Sequence, residues 1–209
     1  MQEHKPLTQM VYDGLYADVI NGVLTANDIL NENALAERFR VSKSPVREAL
    51  VSLCDDRVLR SIPRVGYKVI QIAPGEVREL EEARCALETH MLRKSFPSIG
   101  HGEIELLKRH VTVLQNTAFP PTRYEAWQRN SRFHLQLASY SGNGYMCGLL
   151  DRTLRTCAQA AGQHFAGGRE GELMDGHLHI RIIAALEARD LPLALSLLEE
   201  DTRQIGSGS

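Results

Sequence analysis

Near Ala73-Pro74-Gly75 the hydrophobic pattern of the chain changes period. Upstream, residues 59–62 and 67–72 alternate with the two-residue repeat of strands, whereas downstream the apolar residues recur every three or four positions, as on helices. A single change of period at a proline-glycine step predicts two units, 1–74 and 75–209. The first reads as helices over 7–21, 33–39 and 43–55 followed by strands over 59–62 and 67–72. The second reads as helices over 76–95, 102–116, 122–140, 144–164, 172–189 and 192–205. Breakers stand between these helices: Pro97 with Gly100, Pro120-Pro121, Ser141-Gly142-Asn143-Gly144, Gly167-Gly168, and Asp190 with Pro192. Gly206-Ser207-Gly208-Ser209 reads as a disordered tail.

Composition narrows the class. No stretch approaches the ~20 apolar residues of a membrane span, and the opening MQEHKPLTQM has neither a secretory nor a transit pattern, so a cytoplasmic protein without membrane contact is expected. Cys54, Cys85, Cys147 and Cys157 form no Cys-x-x-Cys pair, which predicts reduced thiols in apolar packing. Net charge is −2, yet between Arg38 and Lys68 eight basic residues face three acidic ones. A local positive patch is what phosphate binding requires, whatever the total.

The segment 43–55 carries that patch onto a helix. Ser42 or Ser44 can cap it, and Pro45 is tolerated in the first turn, where amides have no helical acceptor to lose. Val46, Ala49, Leu50 and Leu53 fall on one face, and Lys43, Ser44 and Arg47 on the other. Lys43 and Arg47 lie one turn apart near the positive helix end, placed to reach base edges in a major groove. The preceding helix, with Ala34, Leu35, Ala36 and Phe39, joins it through Arg40-Val41-Ser42, a helix-turn-helix spacing. The two strands are linked by Pro63-Arg64-Val65-Gly66, whose glycine can take positive φ. Such a hairpin is a wing with Arg64 at its tip, near the minor groove or its phosphates.

The run Leu35-Ala36-Glu37-Arg38-Phe39-x-Val41-Ser42-Lys43-Ser44-Pro45-Val46-Arg47-Glu48-Ala49-Leu50, with Pro63-Arg64-Val65-Gly66 after it, resembles the GntR family of winged-helix repressors. The resemblance implies operator DNA as partner, contacts from Asn33, Ser42, Lys43, Ser44, Arg47, Arg64 and Gly66, and a homodimer on a pseudo-palindrome. Three positions depart from the pattern. Lys43 stands where arginine is usual, Ala26-Asn27 replaces a Pro-Gly turn that Asn27 can still make in a left-handed conformation, and Arg57 replaces the glycine that ends the recognition helix. The fold class expected is mainly α: a winged helix-turn-helix, then an all-α antiparallel bundle.

That bundle resembles the FCD effector domain of the FadR-type branch. The landmarks are Arg84-x-x-x-Glu88, Asn130-x-x-Phe133-His134, Ser141-Gly142-Asn143, and His179 ahead of Ile182, Ile183 and Leu186. The resemblance implies a divalent metal held by an aspartate, a histidine one turn later and two further histidines. Here His134 and His179 match two of them, Asn130 replaces the aspartate and Asp201 the last histidine. Asn130 and His134 are four apart and share a helix face, and Asp201 falls on an otherwise apolar stripe with Ala194, Leu198 and Ile205, where a carboxylate is costly unless paired. Two imidazoles, a carboxylate and an amide oxygen suit zinc or nickel. Asp201 can instead pair with Arg203 or Arg155, and His164 and His177 read as surface residues. Arg84 and Glu88 read as effector-binding residues, Arg84 anchoring a carboxylate, or as a structural ion pair.

The function expected is a sequence-specific DNA-binding regulator modulated by a small organic acid bound beside the metal. Alternatively the metal ion is itself the signal. A helical metallohydrolase would need a base beside the metal, and the chain has no His-Glu-x-x-His, nucleophile elbow or phosphate loop, so no enzyme is expected.

Overall fold

The computed structural model describes residues 6–115, 122–164 and 176–203 and divides the chain into two compact units, Met1–Ile72 and Ala73–Ser209. In the first, α1 (Leu7–Ile20) and α2 (Glu32–Phe39) both pack on α3 (Lys43–Asp55), and β1 (Leu59–Ile62) pairs antiparallel with β2 (Gly66–Val69). Val11, Leu15 and Val19 of α1 and Val46, Ala49, Leu50 and Leu53 of α3 are buried, each on one stripe of its helix. Complete burial of each valine or leucine side chain contributes roughly 1.5–3 kcal/mol. The Asn31 side chain caps α2 by accepting from the Asn33 amide at 2.8 Å. Ser42 is the N-cap residue of α3 but makes no side-chain cap bond, and the Ser44 hydroxyl instead donates to Glu48.

The hairpin is shorter than its alternation predicts. β1 offers four residues, so the ladder ends at Leu59 opposite Val69 rather than running to residue 72. At the other end Gly66 (φ 141°) lies so close to the Leu30 carbonyl that a Cβ would stand 2.3 Å from its oxygen, and Leu30 and Tyr67 form a β-bridge there. In the turn Pro63 precedes Arg64 at φ 64°, and Val65 N donates to Ile62 O at 3.0 Å. Arg57 takes the left-handed conformation itself (φ 58°), so α3 ends with the backbone a glycine would supply. After α1 the positive φ belongs to Gly22 (74°) and not to Asn27. That loop is held by Asp28, whose carboxylate accepts from Thr25 N and Oγ1, and so does not need Asn27 left-handed.

The second unit contains α4 (Pro74–Ser95), a 3-10 turn (Phe96–Ser98), α5 (His101–Gln115), α6 (Arg123–Ser139), α7 (Gly144–His164), α8 (His177–Glu187) and α9 (Leu191–Thr202). α4 begins earlier than its apolar pattern predicts. Pro74 serves as an initiating residue, and Glu76 accepts from the Ala73 amide at 3.0 Å. Thr122 and Glu125 form a capping box on α6, Asn143 caps α7, and Asp190 caps α9. α4 packs against α6, α7 and α9, and α8 against α5 and α9. Leu107, Phe133, Ile182, Leu186 and Leu198 lie in the core. The expected breakers Pro120-Pro121 and Gly167-Gly168, helical positions 172–175, 204 and 205, and the 206–209 tail lie outside the described residues.

α4 presents an unusual inner face. Along one stripe the buried positions Val77, Glu81, Arg84, Glu88, Met91 and Ser95 follow a four-three spacing, and the second to fourth are ionisable. Among the described residues no helix is long and apolar enough to cross a membrane.

Candidate functional site

Two groups of expected residues can be located. In the first unit Asn33, Ser42, Lys43, Ser44, Arg47 and Arg64 are exposed, and Gly66 is partly covered. Arg47 is oriented by a partner that sequence reasoning missed. Its Nη2 donates to Glu32 Oε2 at 2.9 Å, and its Nε lies 3.3 Å from both carboxylate oxygens. The Tyr67 hydroxyl of β2 also donates to Glu32, at 3.5 Å. Glu32 therefore links the start of α2, the exposed face of α3 and the turn end of the hairpin. The hydrogen bond from Arg47 holds the Glu32 carboxyl below its usual pKa. An acid in the first turn of α2 was the available signal, but helix capping explains such a residue equally well.

In the second unit α4, α6, α8 and α9 bring Arg84, Glu88, His134, His179 and Asp201 together, all buried. Arg84, 2% exposed, donates from Nε to Glu88 Oε1 at 2.6 Å and from Nη2 to Asp201 Oδ2 at 3.0 Å. Its Nη2 also lies 2.6 Å from His134 Nε2. The second ring nitrogen of His134, Nδ1, lies 2.6 Å from Glu88 Oε2. A proton on Nδ1 donated to Glu88 leaves the Nε2 lone pair directed at the centre of the group, the arrangement by which a carboxylate orients a ligating histidine.

His134, His179 and Asp201 each turn a potential ligand atom toward the others. His134 Nε2 is 2.9 Å from Asp201 Oδ2 and 3.2 Å from His179 Nε2, and His179 Nε2 is 3.6 Å from Asp201 Oδ1. Ligand atoms about 2.0–2.1 Å from a tetrahedral zinc ion stand ~3.3 Å apart. Spacing and chemistry thus fit a divalent transition metal on these three residues. Asn130, one turn before His134 on α6, is half-buried, and its side chain makes no hydrogen bond among the described residues. Its carboxamide is uncharged, so the negative charge at the centre comes from Asp201.

The network explains the ionisation of its members. Burial pushes the Asp201 and Glu88 carboxyls up, but His134 and Arg84 outweigh it and hold both below the usual range, Asp201 with help from His179. Burial also disfavours a charged His134, yet Glu88 and Asp201 prevail and raise its pKa. For His179 burial wins, and its pKa falls to about 3. The Cys157 thiol is pushed up to about 12 by burial. All four cysteines are free thiols, and Cys157 is the buried one.

Asp201 pairs with Arg84 and the two histidines, not with Arg155 or Arg203. Those arginines bind Asp151 and Glu199, each one turn away on its own helix. The Arg84–Glu88 ion pair is formed. His164 and His177 are exposed.

Comparison with known proteins assigns both units. The family described as bacterial regulatory proteins, gntR family, matches residues 7–69, and the FCD domain matches residues 79–203. The HTH-type transcriptional repressor GlaR of Escherichia coli (strain K12) is 25% identical over 199 residues, covering 90% of this chain and 89% of that protein. The gluconate operon transcriptional repressor of Bacillus licheniformis is 35% identical over 89 residues, 43% of this chain and 35% of the repressor. The first curated relatives matched are covered over only about one to two thirds of their own length. Among solved structures, E. coli McbR/YncC has the same fold, with a TM-score of 0.75 and 21% identity over 96% of this chain and 95% of its own.

Proposed function

Because this chain belongs to the gntR family of bacterial regulatory proteins and carries an FCD effector domain, we propose that it is a repressor whose hold on operator DNA is set by a small carboxylate-bearing ligand taken up beside His134, His179 and Asp201. It is a DNA-binding regulator and not an enzyme, as are the relatives it matches. Repression is proposed because the relatives described above are named as repressors.

The observation that carries the ligand site is the convergence of two imidazoles, two carboxylates and a guanidinium in the interior of the second unit. A core built for stability alone would be apolar, since buried ion networks rarely outperform well-packed hydrophobic residues of the same volume. His134, His179 and Asp201 would hold a divalent zinc- or nickel-like ion, with Asn130 one turn away as a neutral oxygen donor. Bound there, the ion supplies a Lewis-acidic position for a ligand carboxylate. Glu88 orients His134, and Arg84 anchors the carboxylate of the effector. On the DNA side Lys43, Ser44 and Arg47 read the major groove, with Asn33 and Ser42 beside them, while Arg64 and Gly66 form the wing.

Selection of operators from random DNA, followed by release with candidate carboxylates, tests the whole reading. Arg47→Ala is expected to weaken binding by about 1–3 kcal/mol and relax preference at one base pair. Arg64→Ala is expected to lower the salt slope instead. Unchanged binding in both variants would remove the DNA-reading assignment. Chelation in the presence and absence of the releasing carboxylate separates an ion that holds the effector from an ion that is the signal.

A further inference from the structure

His134 Nε2 has one lone pair, and the structure gives it three close neighbours: Arg84 Nη2 at 2.6 Å, Asp201 Oδ2 at 2.9 Å and His179 Nε2 at 3.2 Å. A lone pair that accepts from a guanidinium N–H is not available to a metal ion. Arg84 Nη2 also donates to Asp201 Oδ2, the second atom that an ion would need. Its Nε contact is different, because Glu88 Oε1 is not among the converging ligand atoms.

We propose, building on the ion site above, that Arg84 is a built-in competitor for that site, so that its guanidinium and a divalent cation hold His134 Nε2 and Asp201 Oδ2 in mutually exclusive states. Without an ion, the guanidinium offsets the buried charge of Glu88 and Asp201 and keeps the helices together. When the ion enters, Nη2 gives up both of its partners while Nε remains on Glu88. The freed Nη groups are then the ones left to take the carboxylate of a ligand, so ion and effector bind with positive coupling through one side chain. The ion's affinity is lowered by the work of displacing two charge-assisted hydrogen bonds.

The experiment is a calorimetric titration of the metal-stripped full chain with zinc alone, for the wild type and for Arg84→Met, combined with nitrogen-15 spectra of the arginine side chains. Arg84→Met is expected to bind zinc about tenfold tighter or more, since a hydrogen bond involving a charged group is worth on the order of 1.5–3 kcal/mol. The Arg84 signals, assigned by through-bond experiments on the wild type, are expected to shift when zinc is added. This second readout needs no variant to fold without metal. Equal or weaker zinc binding by a folded Arg84→Met overturns the competition and leaves the ion site intact. Tighter binding with unmoved Arg84 signals in the wild type shows that only the charge mattered, and it overturns the displacement. Zinc binding by neither protein removes the ion site and this inference together.

Discussion

The ring of His179 stacks on Phe133 with centroids 3.9 Å apart, and its Nδ1 is buried without a hydrogen-bond partner among the described residues. Both facts favour the neutral imidazole, and its pKa falls to about 3. In the metal-stripped protein the folded state keeps His179 neutral below its ordinary value of 6.5, whereas the unfolded chain takes up a proton there. Stability therefore falls as pH drops from about 6.5 toward about 3, by up to about 1.4 kcal/mol per pH unit. Urea unfolding near pH 6 and near pH 5 measures the effect. His179→Phe, which retains a stacked ring, is expected to give a shallower dependence, and an undiminished slope would assign the acid sensitivity elsewhere. The resemblance to the FCD domain made His134, His179 and Asp201 legible as single residues. Their joining to Arg84 was not legible, because Arg84 lies 50 residues from His134 and 117 from Asp201 in sequence.

Helices and strands were legible where their periodicity was apolar, as on α3, whose four predicted core residues are all buried. Their ends followed other chemistry. Pro74 starts α4 two residues ahead of its pattern, and β2 stops when β1 runs out of partners. The inner face of α4 escaped altogether, since a hydrophobic repeat does not register a stripe in which Glu81, Arg84 and Glu88 occupy core positions. Backbone conformation at the helix ends was equally hidden. Among the described residues the non-glycine positions with positive φ are Arg40, Arg57, Arg64 and Arg189, all arginines. A left-handed conformation costs an L-residue roughly 1–2 kcal/mol, and a cation near a helix C-terminus offsets part of that. Arg57→Gly is therefore expected to stabilise the protein by about 1 kcal/mol, read as a higher midpoint in chemical denaturation. A lower midpoint would show that contacts of the arginine outweigh its backbone strain. If Arg57 also meets phosphate, the same variant would bind DNA with a smaller salt slope.

The two-unit organisation follows from the single change of period, and the family of each unit from short motifs in it. A recognition helix of 13 residues is about 20 Å long and reads only a few base pairs, so one copy cannot specify an operator. The occupied site is expected to contain two related half-sites about 34–36 Å apart, bound by two chains. Footprinting together with sedimentation of the complex checks this, and saturation by one chain on an asymmetric site would refute it. The polar seam of α4 has a consequence on a longer timescale. Replacing Arg84 alone leaves Glu88 and Asp201 with only imidazole partners, and replacing either acid leaves the arginine with a single carboxylate, so each single step destabilises the protein. Converting the whole group to apolar side chains would be neutral or better, but every single-step route to it crosses a less stable intermediate. A lineage carrying this seam is thus held on a local peak of its fitness landscape. Its sensing chemistry would resist gradual erosion even through periods in which no signal selects for it.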